Sequence, residues 1–276
     1  MSRAKSPVRI GVIGYGYIGR HVVDRLRQVP CLRQVPDGEL ALAFVHTRNA
    51  NRLENFPPSL VARSLSDVAR FAPDLIVECA HPDVTHRHGA DFLKFANYLP
   101  LSVNALAEPA TEAALNSACL QSGRHLFIPH GALIGLDNLV EMREEWTDVT
   151  ITFHKHPDNI DYTAAGIERN SVQARTVLYD GPVRGIARLY PRNVNTMTTC
   201  ALATVGLDRC RAVLIADPAL VDVAIAEVQA VARDGSVHES RKRQRMSGVS
   251  GTEMLASQFG SVVRACGRHP AGLVFV

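Results

Sequence analysis

The chain has no apolar run approaching the roughly 20 residues that span a bilayer, so no membrane partner is expected. No secretory leader is expected either: Met1 to Pro7 is short and polar, and the apolar run behind it already reads as a strand. The excess of one charge sign over the other is small. A net charge of +3 over 276 residues gives nucleic acid little to hold. The one basic run, Arg241-Lys242-Arg243-Gln244-Arg245, has no aromatic partners nearby and reads as a solvated loop or linker. CxxC pairs are absent. Cys31, Cys79, Cys119, Cys200, Cys210 and Cys266 are scattered, which predicts reduced, mostly packed thiols in a cytoplasmic protein. Metal-ligand spacing is missing too. His86 and His88 fall on different faces of one helix start beside His81, and His154 and His156 share a strand face without a third ligand near in sequence, so no metal is expected. No repeat or low-complexity tract is present.

What remains is an ordinary globular composition, 46% hydrophobic and 21% charged, in a chain long enough for two domains. The organising stretch is Val8-Arg9-Ile10-Gly11-Val12-Ile13-Gly14-Tyr15-Gly16-Tyr17-Ile18-Gly19. An apolar strand ends in spaced glycines, and an amphipathic helix follows from Ile18 to about Gln28. Gly14 allows the tight turn, Gly16 admits the backbone close to a pyrophosphate, and Gly19 lets the helix pack on the sheet. The N–H groups of the helix start, around Tyr17 and Ile18, then face the anion. A glycine triplet alone is a weak signal; its place between a strand and a helix pattern makes it a dinucleotide site.

A loop from Val29 to Gly38 leads to a buried strand, Leu40 to His46. An NAD-selective site usually sets Asp or Glu at the tip of this strand for the ribose hydroxyls. Here Thr47-Arg48 stands instead, which removes repulsion toward a 2′-phosphate and offers it a cation. That favours NADP over NAD, or use of both; a plain loop cation is the other reading of Arg48. A short helix Ser66 to Phe71 capped by Ser66, strand Asp74 to Ala80, helix Asp83 to Ala96, strand Leu99 to Val103, helix Glu108 to Ser122 and strand His125 to Ile128 continue the alternation. This is the pattern of an α/β, Rossmann-type doubly wound parallel sheet.

From Pro129 the pattern changes. A small-residue loop leads to a helix from Leu136 to Glu145. Strands at Val149 to Lys155 and Ala174 to Leu178, a turn at Asp180-Gly181-Pro182, a helix through Val205 and strands at Arg211 to Ala216 and Val223 to Val231 form an α+β unit. The expected division is residues 1–132 for the dinucleotide-binding domain and 133–251 for a substrate and dimerisation domain. A last helix, about 252–276, packs back on the first.

Several segments together resemble the L-aspartate dehydrogenase family, most closely its animal branch of aspartate dehydrogenase domain-containing proteins. Besides the glycine loop they are Val77-Glu78-Cys79-Ala80-His81-Pro82, Gly131-Ala132-Leu133-Ile134-Gly135-Leu136-Asp137, Val177 to Arg184, Pro191-Arg192-Asn193-Val194-Asn195 and Ala216-Asp217-Pro218. The resemblance implies a Rossmann domain followed by an α+β catalytic and dimerisation domain, hence a homodimer. It also implies NAD(P)-dependent oxidative deamination of aspartate to iminoaspartate, or the reverse reaction from oxaloacetate and ammonia. Gly14, Gly16, Tyr17, Ile18, Gly19, Thr47, Arg48 and Ala80 would then bind cofactor, with Ala132, Asn193 and Asn195 toward the nicotinamide. Asn193 as a helix N-cap is the alternative. A dicarboxylic amino-acid substrate needs cations, for which Arg192 and Lys155 are the candidates.

The chain departs from that family where the resemblance calls for a catalytic histidine, on the strand after Ala-Asp-Pro. Ala219 to Val228 contains none. His238, later in the chain beyond Asp234-Gly235, is the catalytic candidate that remains if the alignment slips, and Glu227 and Asp222 are off position. A second class of function therefore stands beside the enzyme: a dinucleotide-binding sensor or scaffold without turnover. A sugar or polyol dehydrogenase is disfavoured, because Ala107-Glu108-Pro109 lacks the lysine of a Glu-Lys-Pro motif.

Overall fold

A computed structural model describes residues 6–28, 40–248 and 250–267. The expected loop from Val29 to Gly38, with Cys31, lies outside them, as does the end of the chain beyond residue 267. The chain forms two compact units, one of Met1–Ala105, Ala110–Pro129 and Leu255–Val276, the other of Leu106–Pro109 and His130–Met254. No helix among the described residues is long and apolar enough to cross a membrane.

The first unit is a parallel four-stranded sheet. Strand β1 (Val8–Ile13) leads into helix α1 (Tyr17–Arg27), then β2 (Leu40–His46), β3 (Leu75–Glu78), α2 (Pro82–Phe92), β4 (Asn97–Pro100) and α3 (Pro109–Ser122). The strand order is β2-β1-β3-β4. Ile10, Val12, Ile13, Val45, Ile76 and Val77 are all buried, as strands covered on both faces require. Gly11 is glycine because the Phe44 ring occupies the space a Cβ would take, 2.1 Å from its nearest atom. Phe259, Val262 and Val263 of the last helix, α7 (Met254–Ala265), belong to this core.

The second unit is a six-stranded mixed sheet. Helix α4 (Leu136–Glu141) precedes β5 (Trp146–Lys155) and β6 (Thr176–Pro182). Then come α5 (Val183–Leu189), α6 (Asn195–Ala203), β7 (Arg211–Ala216), β8 (Val223–Ala232), β9 (Val237–Ser247) and the two-residue β10 (Ser250–Gly251). The order is β10-β9-β8-β5-β7-β6. Only β5 and β7 run parallel; β8 lies antiparallel to both β5 and β9. Trp146, Val149, Ile151 and Phe153 point to the core with Met197, Cys200 and Tyr190, while the alternate residues of β5 face away.

The structure corrects several local expectations. The run Arg241 to Arg245 is not a loop but part of β9. Its alternation sends Lys242 and Gln244 to one face and the three arginines to the other, and the ladder with β8 supplies the backbone bonds. Asp180-Gly181-Pro182 is the end of β6 rather than a turn, and Pro182 sits there without cost because β6 is an edge strand. The strand at His125 to Ile128 reduces to one bridge, Tyr98 to Leu126, since Pro129 has no N–H to extend it. Ser64, not Ser66, caps the turn of 3-10 helix at Leu65–Phe71.

Candidate functional site

The glycine loop sits at the carboxyl end of β1. Gly14 has φ of +100°, and a Cβ there would fall 2.8 Å from the Cys79 carbonyl. At Gly19 a Cβ would lie 2.0 Å from the Gly14 carbonyl oxygen, so α1 approaches the loop only because both positions are glycine. Gly16 is different: a Cβ there meets nothing within 4 Å, so the backbone is open to a ligand. It is also the N-cap residue of α1, whose first turn carries no acidic side chain. This cradle fits a pyrophosphate.

A cavity of about 500 Å³ opens from this loop across the strand ends. Gly14, Gly16, Thr47, Arg48 and Ala80 line it, while Tyr17, Ile18 and Gly19 form the helix start beside it. Sequence reasoning missed Arg52 and Arg87, which also line it. Arg48 is exposed, with no hydrogen bond or ion pair among the described residues. Arg52 donates to the Tyr15 carbonyl at 3.4 Å. Among the described residues the one acid in the lining, Asp83, is paired with Arg87 at 3.3 Å. No carboxylate stands at the tip of β2, and the lining is net positive.

Glu78 shapes the far wall. Its carboxylate is fully buried at the end of β3 and accepts hydrogen bonds from the N–H groups of Ala80 and His81, and from the N–H and hydroxyl of Ser102. Burial pushes its pKa up to about 7 against the pull of those donors. The carboxylate thereby folds the Cys79 to His81 turn that lines the cavity. Motif comparison notes the residue, but its structural task is visible only in three dimensions.

In the second unit, Lys155 ends β5 on the core face, 5% exposed, between Ala216 of β7 and Ala224 of β8. Its ammonium donates to the Asn193 carbonyl at 3.2 Å and lies 5.3 Å from the centroid of the Phe153 ring. Burial lowers its pKa to about 8. The Asn193 amide donates to the Asn159 carbonyl and accepts from the Asp161 N–H, both at 2.8 Å. It is therefore a loop bracket; the N-cap of α6 is Val194, and Asn195 is the first residue of that helix. Arg192, 63% exposed, pairs with Asp161 at 3.1 Å. With Tyr162 and Arg169 it lines a cleft of about 480 Å³. Hydrogen bonds from Thr163 and then the Arg192 guanidinium hold Asp161 below its ordinary pKa.

Asn193 thus links the buried Lys155, through its carbonyl, to the Asp161 loop with which Arg192 pairs, and His238 does not join them. It pairs with Ala230 on β8, six residues along the strand from Ala224, or roughly 20 Å. Glu227 faces the other side of the sheet, bound by His154 and Arg241, and Asp222 stands in the turn before β8 with φ of +57°. The remaining histidines have structural partners: His81 accepts from the Asp83 N–H at the start of α2, His86 meets Thr111, and His156 accepts from the Asp158 N–H.

Comparison with known proteins places this geometry in a family. Residues 137–267 match the model for the C-terminal part of aspartate dehydrogenase, and residues 14–129 match the homoserine dehydrogenase NAD-binding domain. The aspartate dehydrogenase domain-containing protein of Xenopus tropicalis is 36% identical over 98% of both chains. The L-aspartate dehydrogenase of Serratia proteamaculans is 32% identical over 76% of this chain and 79% of its own. The fold matches the crystal structure of aspartate dehydrogenase from Thermotoga maritima with a TM-score of 0.70 at 22% identity, covering 98% of this chain and 99% of that one. With an NAD(P)-binding Rossmann unit and this C-terminal unit, the chain belongs to the aspartate dehydrogenase family of oxidoreductases.

Proposed function

We propose that this protein is a dehydrogenase that oxidatively deaminates aspartate, or a closely similar dicarboxylic amino acid, with NADP favoured over NAD. The observation that carries the reading is the cradle at Gly14, Gly16 and Gly19 opening into a cationic cavity, in a chain of this family. The absence of a carboxylate at the β2 tip, and an Arg48 without a partner among the described residues, support the preference for a 2′-phosphate.

Gly16 and the start of α1 hold the pyrophosphate, and Thr47 and Arg48 hold the adenosine end. Ala132, Asn193 and Asn195 serve the nicotinamide end. When bound, the dinucleotide would supply a hydride acceptor for the substrate α-carbon. Arg192 and Lys155 hold the substrate carboxylates. Loss of hydride and a proton turns the amine into iminoaspartate, and water then releases ammonia to give oxaloacetate. The active form is a homodimer of the cytoplasm; the free cysteines among the described residues suit a reducing compartment.

The test follows NADPH and NADH oxidation with oxaloacetate and ammonium, beside binding measured by cofactor fluorescence. Oxidation that requires both substrates supports the enzyme. Saturable binding without oxidation supports the second reading, a dinucleotide sensor or scaffold, which the alanine and valine on the core face of β8 favour. Light scattering checks the dimer.

A further inference from the structure

The loop from Gly131 to Gly135 is held in a shape its own backbone resists. Gly131, Ala132 and Gly135 have φ of +58°, +57° and +73°. Ala132 carries a Cβ into the left-handed region, where only a surrounding structure that over-determines the backbone keeps it. Such strain gathers at ligand sites.

The over-determination comes from one face of β9. His238, Ser240 and Lys242, at alternate positions, reach successive parts of the loop. The His238 ring lies 2.7 Å from where a Cβ on Gly135 would be, so that position must be glycine. This contact, with the Trp146 ring edge-on at 6.4 Å, gives His238 a packing role. The Ser240 hydroxyl donates to the Ile134 carbonyl at 3.4 Å. Lys242, its side chain 12% exposed, donates to the Ala132 carbonyl and forms an ion pair with Glu253. From α6 the Thr196 hydroxyl donates to the Gly131 carbonyl at 2.7 Å. Three loop carbonyls are thus committed to side-chain donors, and the strained residue is the one held by a nearly buried charge.

We propose that Lys242 is a positioning residue for the cofactor: by gripping the Ala132 carbonyl it fixes the 131–135 loop in the form that receives the nicotinamide end of the dinucleotide. Lys242 itself touches neither cofactor nor substrate. The inference rests on the function proposed above, in which Ala132 serves that end.

Two ligands separate the ends of the cofactor: NADPH, and 2′,5′-ADP, which has only the adenosine half (NADH and 5′-ADP if NADH binds tighter). Lys242→Met is expected to bind 2′,5′-ADP within twofold of the unaltered protein, to bind NADPH at least tenfold more weakly, and to lose the emission change of bound nicotinamide. Lys242→Arg should restore most of the NADPH affinity. Gly135→Ala drives a methyl into the His238 ring with Lys242 intact and should give the same pattern. It decides the matter where Lys242→Met does not fold. Unchanged NADPH affinity in these variants, or equal loss of both ligands, overturns the positioning role alone. Failure of the unaltered protein to bind either dinucleotide overturns the proposed function and this inference with it.

Discussion

Lys155 and Ala224 stand directly opposite one another across the antiparallel pair of β5 and β8, on the face turned to the core. At such positions the Cβ atoms are about 5 Å apart. The resemblance to aspartate dehydrogenases calls for a histidine on this strand, and β8 offers only apolar groups on that face, at Ala224, Ala226 and Val228. A buried amine therefore faces a methyl where a second proton-handling group would be useful.

Replacing Ala224 with histidine is expected to raise turnover with oxaloacetate and ammonium at least tenfold, since a placed general acid or base contributes about 10²–10⁴-fold. The larger ring costs packing stability of about 1–3 kcal/mol. Initial rates of NADPH oxidation at saturating cofactor check this. A variant that binds NADPH normally but turns over no faster counts against the site.

The same lysine makes a pH prediction. Its folded pKa, about 8, lies below the ordinary 10.5. Between those values the unfolded chain keeps a proton that the native state has released, so stability rises with pH across that window and is flat below it. The full effect is at most on the order of 3 kcal/mol. Lys155→Met should remove the rise and unfold at higher urea at pH 7, as removal of a buried charge often does. Urea melts at several pH values decide; an identical slope in the variant contradicts the burial argument.

Glu78 carries the opposite sign. Its pKa is raised to about 7 from 4.5, so the native state holds a proton that the unfolded chain has lost between those values. Its contribution is full below pH 4.5, falls as pH rises toward 7 and is constant above. Glu78→Gln should flatten that fall. Because the carboxylate also folds the Cys79 to His81 turn, Glu78→Ala should weaken dinucleotide binding about tenfold, which calorimetry measures.

Arg48→Ala should weaken NADPH binding roughly 10- to 100-fold, the usual worth of a charge-assisted hydrogen bond, and leave NADH within about twofold. Equal losses for both cofactors would give Arg48 no part in recognising a 2′-phosphate.

The glycine loop was legible because three local requirements, at Gly14, Gly16 and Gly19, are written in one short stretch. The buried strands were legible because β1 from Ile10 to Ile13 and β2 from Leu40 to Val45 carry no charged residue. The strand β9 was hidden because Arg241 to Arg245 is charged on both faces, and only pairing with β8 shows that Lys242 points inward to Ala132. Arg52 and Arg87 join the cavity from separate elements, and the facing of Lys155 and Ala224 spans 69 residues of sequence. Such long-range placement has no local signature.

The most direct test of the account is the oxidation of NADPH by the purified protein at 340 nm, with oxaloacetate and ammonium added singly and together. A fall in absorbance is expected only when both are present, faster with NADPH than with NADH. No oxidation at protein concentrations equal to those of the cofactor, with NADPH bound, would contradict it.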